Sequence, residues 1–259
     1  MSGPLSGLRV VDWSTGMAAP RAAGILADYG ADVVRIEPPG GDPWAALHAV
    51  AYTVFNRGKR RLELDVDRPD EHAVLIDLIR HADVLIEGWP EPRATRLGLG
   101  YDDIHALAPQ LVYCSIDGFG SPSDRPDRRA YESLVHAVVG TMAEQPGVRQ
   151  APIFEGLPFA SIGAAYLACI GVVGALLRRR DDLHGRHVET SLLDGALSFL
   201  TMLWGDADDP PPARDPGSKR LIARNFDCAD GEILGVHTGA VGAFGRLMIE
   251  LGLDDRIPP

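Results

Sequence analysis

The chain has 259 residues, 46% apolar and 24% charged, as expected of a soluble globular protein with one or two domains. Its formal charge of −11 argues against a non-specific binder of nucleic acid or anionic membrane. Local basic clusters (Arg57, Lys59, Arg60, Arg61; Arg125, Arg128, Arg129) leave room for an anionic ligand, although each also reads as a solvated face. Cys114, Cys169 and Cys228 are three and show no ligand spacing, which fits a reducing cytoplasm. The start, MSGPLSGLRVVDW, has no basic segment followed by a long apolar stretch, and the longest apolar run, Ile162–Leu177, is short for a membrane span.

In chain order, Leu8–Trp13 reads as a buried strand and Ala19–Tyr29 as a helix. Asp32–Ile36 is a second strand, closed by the breakers Glu37-Pro-Pro-Gly-Gly. Pro69–His81 reads as a helix with proline in its first turn and Val74, Leu75, Leu78 and Ile79 on one face. Asp83–Ile86 and Leu111–Ile116 are further buried strands. Apolar strands alternating with helices predict an α/β fold, a Rossmann-like parallel sheet with helices on both faces. Helices are expected over Arg129–Glu144 and Ala160–Arg180, the latter rich enough in Gly and Ala for other backbones to approach it closely. His187–Leu193 reads as a strand or extended entry to a helix at Asp194–Leu203. The Pro- and Asp-rich stretch 206–220 reads as a linker between a large domain, 1–205, and the start of a smaller one, 221–259. Within the latter, Phe226–His237 reads as a hairpin turned at Asp230-Gly231, and Ala243–Leu251 as a helix.

The first strand–turn–helix carries Ser14-Thr15-Gly16-Met17-Ala18-Ala19-Pro20 rather than G-x-G-x-x-G, and no P-loop lysine follows. This disfavours a nicotinamide-dependent oxidoreductase, while the small residues still admit a ligand to the strand end. The histidines lack ligand spacing, so no metal is expected.

Five ordered blocks carry a resemblance: PLSGLRVVDW with ILADYGADVVRIEPPGGDP, NRGKRRLELDV, ADVLIE with RLGLGYDDI, PQLVYCSIDGFG, and GALLRRRDDLHGRHVETSLLDGA. Each resembles the corresponding block of the family III CoA-transferases, a group that includes carnitine-type transferases and α-methylacyl-CoA racemases. The resemblance implies CoA as substrate, acyl-CoA and carboxylate partners, and a homodimer or a pairing with a related catalytic subunit. It places Thr15, Gly16, Met17 and Ala18 beside the CoA pantetheine and thioester, and Gly88 and Trp89 where the family has an Asn-aromatic pair. Arg96 and Arg129 match residues that contact the CoA phosphates, a task suited to the planar donor fork of arginine.

The family's transferases use an aspartate as acyl acceptor, and Ser161 stands at its position, with Ala160 the one-residue alternative. A serine ester is too stable to return readily to a CoA thioester. The racemase histidine position reads Tyr131, followed by Glu132 as in the transferases, so racemase chemistry loses both its groups. Glu132, Glu155 and Asp117 are the nearest substitute acids, each also readable as structural, and His136 reads as a core histidine. Family members are typically longer, with a C-terminal segment returning to the large domain. Two functions stay open: CoA transfer between an acyl-CoA and a carboxylate, or a catalytically inactive homologue or partner subunit that binds CoA. A 2-methylacyl-CoA racemase is a weaker third.

Overall fold

The structure is a computed structural model that describes residues 3–89, 91–120, 130–144, 152–200, 223–253 and 255. Their elements are β1 (Arg9–Trp13), α1 (Ala18–Asp28), β2 (Asp32–Glu37), α2 (Pro43–Leu47), α3 (Ala49–Asn56), β3 (Arg60–Glu63), α4 (Pro69–Arg80), β4 (Val84–Glu87), α5 (Glu91–Arg96) and α6 (Tyr101–Leu107). There follow β5 (Val112–Asp117), α7 (Glu132–Val139), α8 (Thr141–Glu144), α9 (Phe159–Asp182), β6 (His187–Ser191), α10 (Leu192–Leu200), β7 (Ala223–Asp227), β8 (Ile233–His237) and α11 (Ala243–Glu250). They group into two compact units, residues 1–139 with 156–202, and 140–155 with 203–259.

The first unit is built on a six-stranded sheet in the order β3-β2-β1-β4-β5-β6, every pair parallel. The α/β expectation is met. Alternation along the strands divides the core between the two faces. Val10, Val33, Val84, Ile86, Val112 and Cys114 meet the alanine-rich sides of α1 and α9. Val11, Ile36, Leu85 and Tyr113 meet Leu75 and Ile79 of α4, and Leu99 and Ile104 around α6. Helix α4 starts on Pro69 with Asp70 and Glu71 in its first turn and ends on Arg80, matching the helix dipole at both ends.

Helix α9 has 24 residues and is apolar enough by composition to cross a membrane. Its buried residues, however, are small ones that let other backbones approach. A Cβ on Gly163 would lie 2.5 Å from the Gly195 carbonyl oxygen of α10, and one on Gly195 would lie 2.1 Å from the Ala160 carbonyl oxygen. The close approach expected from the Gly/Ala run is therefore realised between α9 and α10.

Three local expectations are corrected. The helix expected over 129–144 is broken at Gly140, whose φ of 79° is left-handed, giving α7 and α8; its expected start at Arg129 lies outside the described residues. The helix expected from Asp194 begins at Leu192. The elements β3, α2, α3, α5 and α6, absent from the sequence reading, are present. The expected linker, 206–220, lies outside the described residues. In the second unit, β7 and β8 form an antiparallel hairpin around Asp230-Gly231, as expected, and Gly231 takes a φ of 85°.

Candidate active site at the strand ends

The strand order reverses between β1 and β4, and in an open parallel sheet the carboxyl ends at such a point form the binding crevice. Two turns flank it. After β1, Ser14–Met17 leads into α1, with Gly16 at a φ of 79°. After β4, Gly88-Trp89 leads towards α5. A Cβ on Gly88 would lie 3.1 Å from the Ala19 Cβ and 3.5 Å from the Ser14 Cβ, so glycine lets the two turns close together. The indole of Trp89 lies 5.7 Å from that of Trp13 and is covered by the Arg93 guanidinium at 4.4 Å, an aromatic and cationic wall.

Beneath the first turn lies a buried ionic cluster that sequence reading missed. Arg35 pairs with Asp12 at 3.0 Å, Glu37 at 3.0 Å and Asp42 at 2.5 Å, while the Lys59 ammonium reaches Asp12 at 2.8 Å. Burial works to raise the Asp12 pKa, but Lys59 and Arg35 outweigh it and hold the carboxyl below its usual range. Ser14 donates to Asp12 and Thr15 donates to Asp42 at 3.4 Å, so the cluster carries the turn. Within the basic run 57–61 the Lys59 side chain is buried, while Arg57 and Arg60 form exposed pairs with Asp28 at 2.7 Å and Asp32 at 2.6 Å.

Glu87, also missed, ends β4 and is buried beside the second turn. It accepts from the Trp89 backbone N–H at 2.8 Å. Burial, with Asp117 adding repulsion against the opposing Trp89 and Ser115 hydrogen bonds, pushes its pKa up to about 7. A charged residue closing the buried run Val84-Leu-Ile-Glu87 was the available signal.

The third component is the start of α9. A helix preceding a parallel strand begins at that strand's carboxyl end, so the first turn of α9, which leads into β6, lies at the same edge of the sheet. Its N-cap, Pro158, supplies no side-chain hydrogen bond. The acceptor comes instead from Glu132, the first residue of α7. Glu132 Oε1 accepts from the Ala160 N–H at 2.7 Å and contacts His136 Nε2 at 3.1 Å. Oε2 accepts from the Ser161 N–H at 3.1 Å and from Ser161 Oγ at 2.5 Å. A carboxylate at a helix N-terminus is favoured by the free N–H groups and the helix dipole. Ser161 and His136 are buried, whereas 24% of the Glu132 side chain is exposed.

Ser161, Glu132 and His136 are therefore brought together, and Thr15–Ala18 with Gly88-Trp89 flank one crevice. Tyr131 precedes α7 and is 56% exposed. Arg96 is exposed at the end of α5 and makes no hydrogen bond or ion pair among the described residues. Arg125, Arg128 and Arg129 lie outside the described residues. Asp117 is occupied by the Gly120 N–H at 2.6 Å, and Glu155 belongs to the second unit. Among the described residues, no group of three His, Cys, Asp or Glu side chains could hold a metal.

The family model for CoA-transferase family III matches residues 5–258, and the chain belongs to that family. It is similar to the succinate–glutarate CoA-transferase of Agrobacterium fabrum, with 34% identity over 211 residues that make up 76% of this chain and 53% of that one. It is also similar to the acetyl-CoA:oxalate CoA-transferase of Acetobacter aceti, with 32% identity over 237 residues, 87% of this chain and 60% of that one. The chain thus spans roughly half to three-fifths of the length of these relatives. A solved CAIB/BAIF family protein from Brucella suis superposes with a TM-score of 0.79 at 28% identity, covering 98% of this chain and 71% of the other.

Proposed function

We propose that this chain binds an acyl-CoA and transfers CoA between it and a carboxylate. The observation that carries the reading is the convergence of the Ser14–Ala18 turn, the Gly88-Trp89 turn and the α9 N-terminus at one edge of a doubly wound sheet. Family membership and the names of the relatives support transfer over a racemase or an inactive homologue. In this reading Thr15, Gly16, Met17 and Ala18 lie along the pantetheine arm, Gly88 and Trp89 form the opposite wall, and Arg96 and Arg129 take the phosphates. The reacting groups are drawn from Ser161, Tyr131 and Glu132. We assign residues 1–205 to CoA binding, 206–220 to a linker and 221–259 to the start of a second domain.

We further assign the chain to the cytoplasm and give it a partner, either a second copy or a related catalytic subunit. The exposed apolar stripe Tyr166, Ile170, Val173 and Leu177 along α9 supports the pairing. The functional test is calorimetric titration with CoA, followed by chromatographic assay of succinyl-CoA with glutarate and of acetyl-CoA with oxalate. Saturable binding with transfer in at least one pair is expected. Absence of CoA binding would overturn the reading, and binding without transfer would restore the inactive homologue.

A further inference from the structure

We propose that Glu132 is the catalytic residue that carries first the acyl group and then CoA, with Ser161 as the hydrogen-bond donor to its reacting oxygen; this rests on the CoA-transfer reading above. Three observations support it. First, the chemistry needs an acid derivative that exchanges partners at similar energy, which a carboxylate provides and a serine hydroxyl does not. Second, Glu132 delivers that carboxylate to the Ser161 position from another helix, with Oε2 within 2.5 Å of Ser161 Oγ. Third, Ser161 is only 6% exposed and closed off, whereas the Glu132 side chain is 24% exposed and open to a substrate.

The two oxygens of Glu132 have different surroundings and share only the Ser161 N–H, which lies 3.4 Å from Oε1 and 3.1 Å from Oε2. Oε1 is held by the Ala160 N–H at 2.7 Å and His136 Nε2 at 3.1 Å, at the N-terminus of a 24-residue helix. This oxygen remains as the carbonyl oxygen through every intermediate, so the same donors stabilise the negative charge on it in the two tetrahedral states centred on the Glu132 Cδ. Among the described residues Oε2 is held only by Ser161, and it is the oxygen that forms and breaks bonds.

The steps balance without an added proton or oxidant. Oε2 attacks the thioester carbonyl, forming a C–O bond; the C–S bond breaks and CoA thiolate leaves, giving a mixed anhydride. The thiolate then attacks the Glu132 Cδ, forming a C–S bond and releasing the donor acid as carboxylate with its oxygen from Glu132. An acceptor carboxylate attacks the glutamyl thioester and expels the thiolate. The thiolate attacks the acceptor carbonyl, releasing the new acyl-CoA and free Glu132.

The test uses the full chain with succinyl-CoA and glutarate. E132Q keeps an oxygen acceptor for the Ala160 N–H but turns an amide nitrogen towards Ser161; it is expected to lose transfer by at least about a thousandfold, while its CoA titration stays close to native and its melting curve still shows a cooperative transition. S161A should lose about ten- to a hundredfold, because it removes one donor to the reacting oxygen. Acid quenching during turnover, followed by peptide mass spectrometry, should place a CoA thioester on Glu132 in native protein and S161A, and none in E132Q. Transfer by E132Q within tenfold of native, or an adduct on Ser161 or another carboxylate, would overturn this assignment and leave the transferase reading intact. A native chain that binds CoA but neither transfers it nor forms an adduct would overturn both.

Discussion

At the residue scale, Glu87 has the clearest consequence. Burial raises its pKa from 4.5 to about 7, so between those values the folded chain holds a proton that the unfolded chain has released. Stability contributed by this proton is full below pH 4.5 and is lost as pH rises through 7, because the charged carboxylate is then buried without a cation. The span corresponds to about 3 kcal/mol at most. E87Q, neutral at every pH, should flatten this dependence; melting curves of both proteins from pH 5 to 8.5 should show native falling relative to E87Q. Parallel slopes for the two would refute the account. Arg35 makes the opposite case: removing it as R35M leaves Asp12, Glu37 and Asp42 buried with only Lys59 to offset them. A loss of about 3–5 kcal/mol is expected in urea unfolding.

At the level of elements, what was legible in the sequence followed from how the elements are buried. Strands β1, β2, β4 and β5 are apolar runs buried on both faces, and α4 shows its apolar side at helical spacing. Strand β3 reads Arg-Arg-Leu-Glu and is largely exposed, held by pairing to β2 and by Arg60 on Asp32; nothing local marks it as a strand. The site divides in the same way. Ser161 and the two crevice turns were candidates from the family resemblance. The bond from Glu132 to the start of α9 spans 29 positions and depends on how α7 and α9 dock, which no local pattern encodes. The same docking depends on Gly163 and Gly195. G163A would place a methyl 2.5 Å from the Gly195 carbonyl oxygen and force α9 from α10. Overpacking of this kind costs about 1–3 kcal/mol, to be read from the urea midpoint at constant slope.

At the scale of the whole molecule, the proposed function asks an acidic chain to receive an anionic substrate. With a formal charge of −11, its average field repels CoA, so attraction has to come from a few local arginines. Much of the remaining positive charge is committed elsewhere: Arg35 and Lys59 are buried in the strand-end cluster, and Arg57 and Arg60 are tied to Asp28 and Asp32. Arg96, exposed and unpaired among the described residues, stands apart from these. R96A should weaken CoA binding by about 1–2 kcal/mol and reduce its salt dependence, with little change in melting temperature. Calorimetry at two ionic strengths separates this from a purely structural role.

The contact between Ser161 and Glu132 also bears on how the site can be altered. It gathers the donors at the start of α9 onto one carboxyl. Ser161→Asp would set a second carboxyl beside the first, the acid pair that the resemblance gives the family's transferases. The same few donors would then be divided between two acids on two helices, and the helix that carries the reacting carboxyl would be decided by how they are shared.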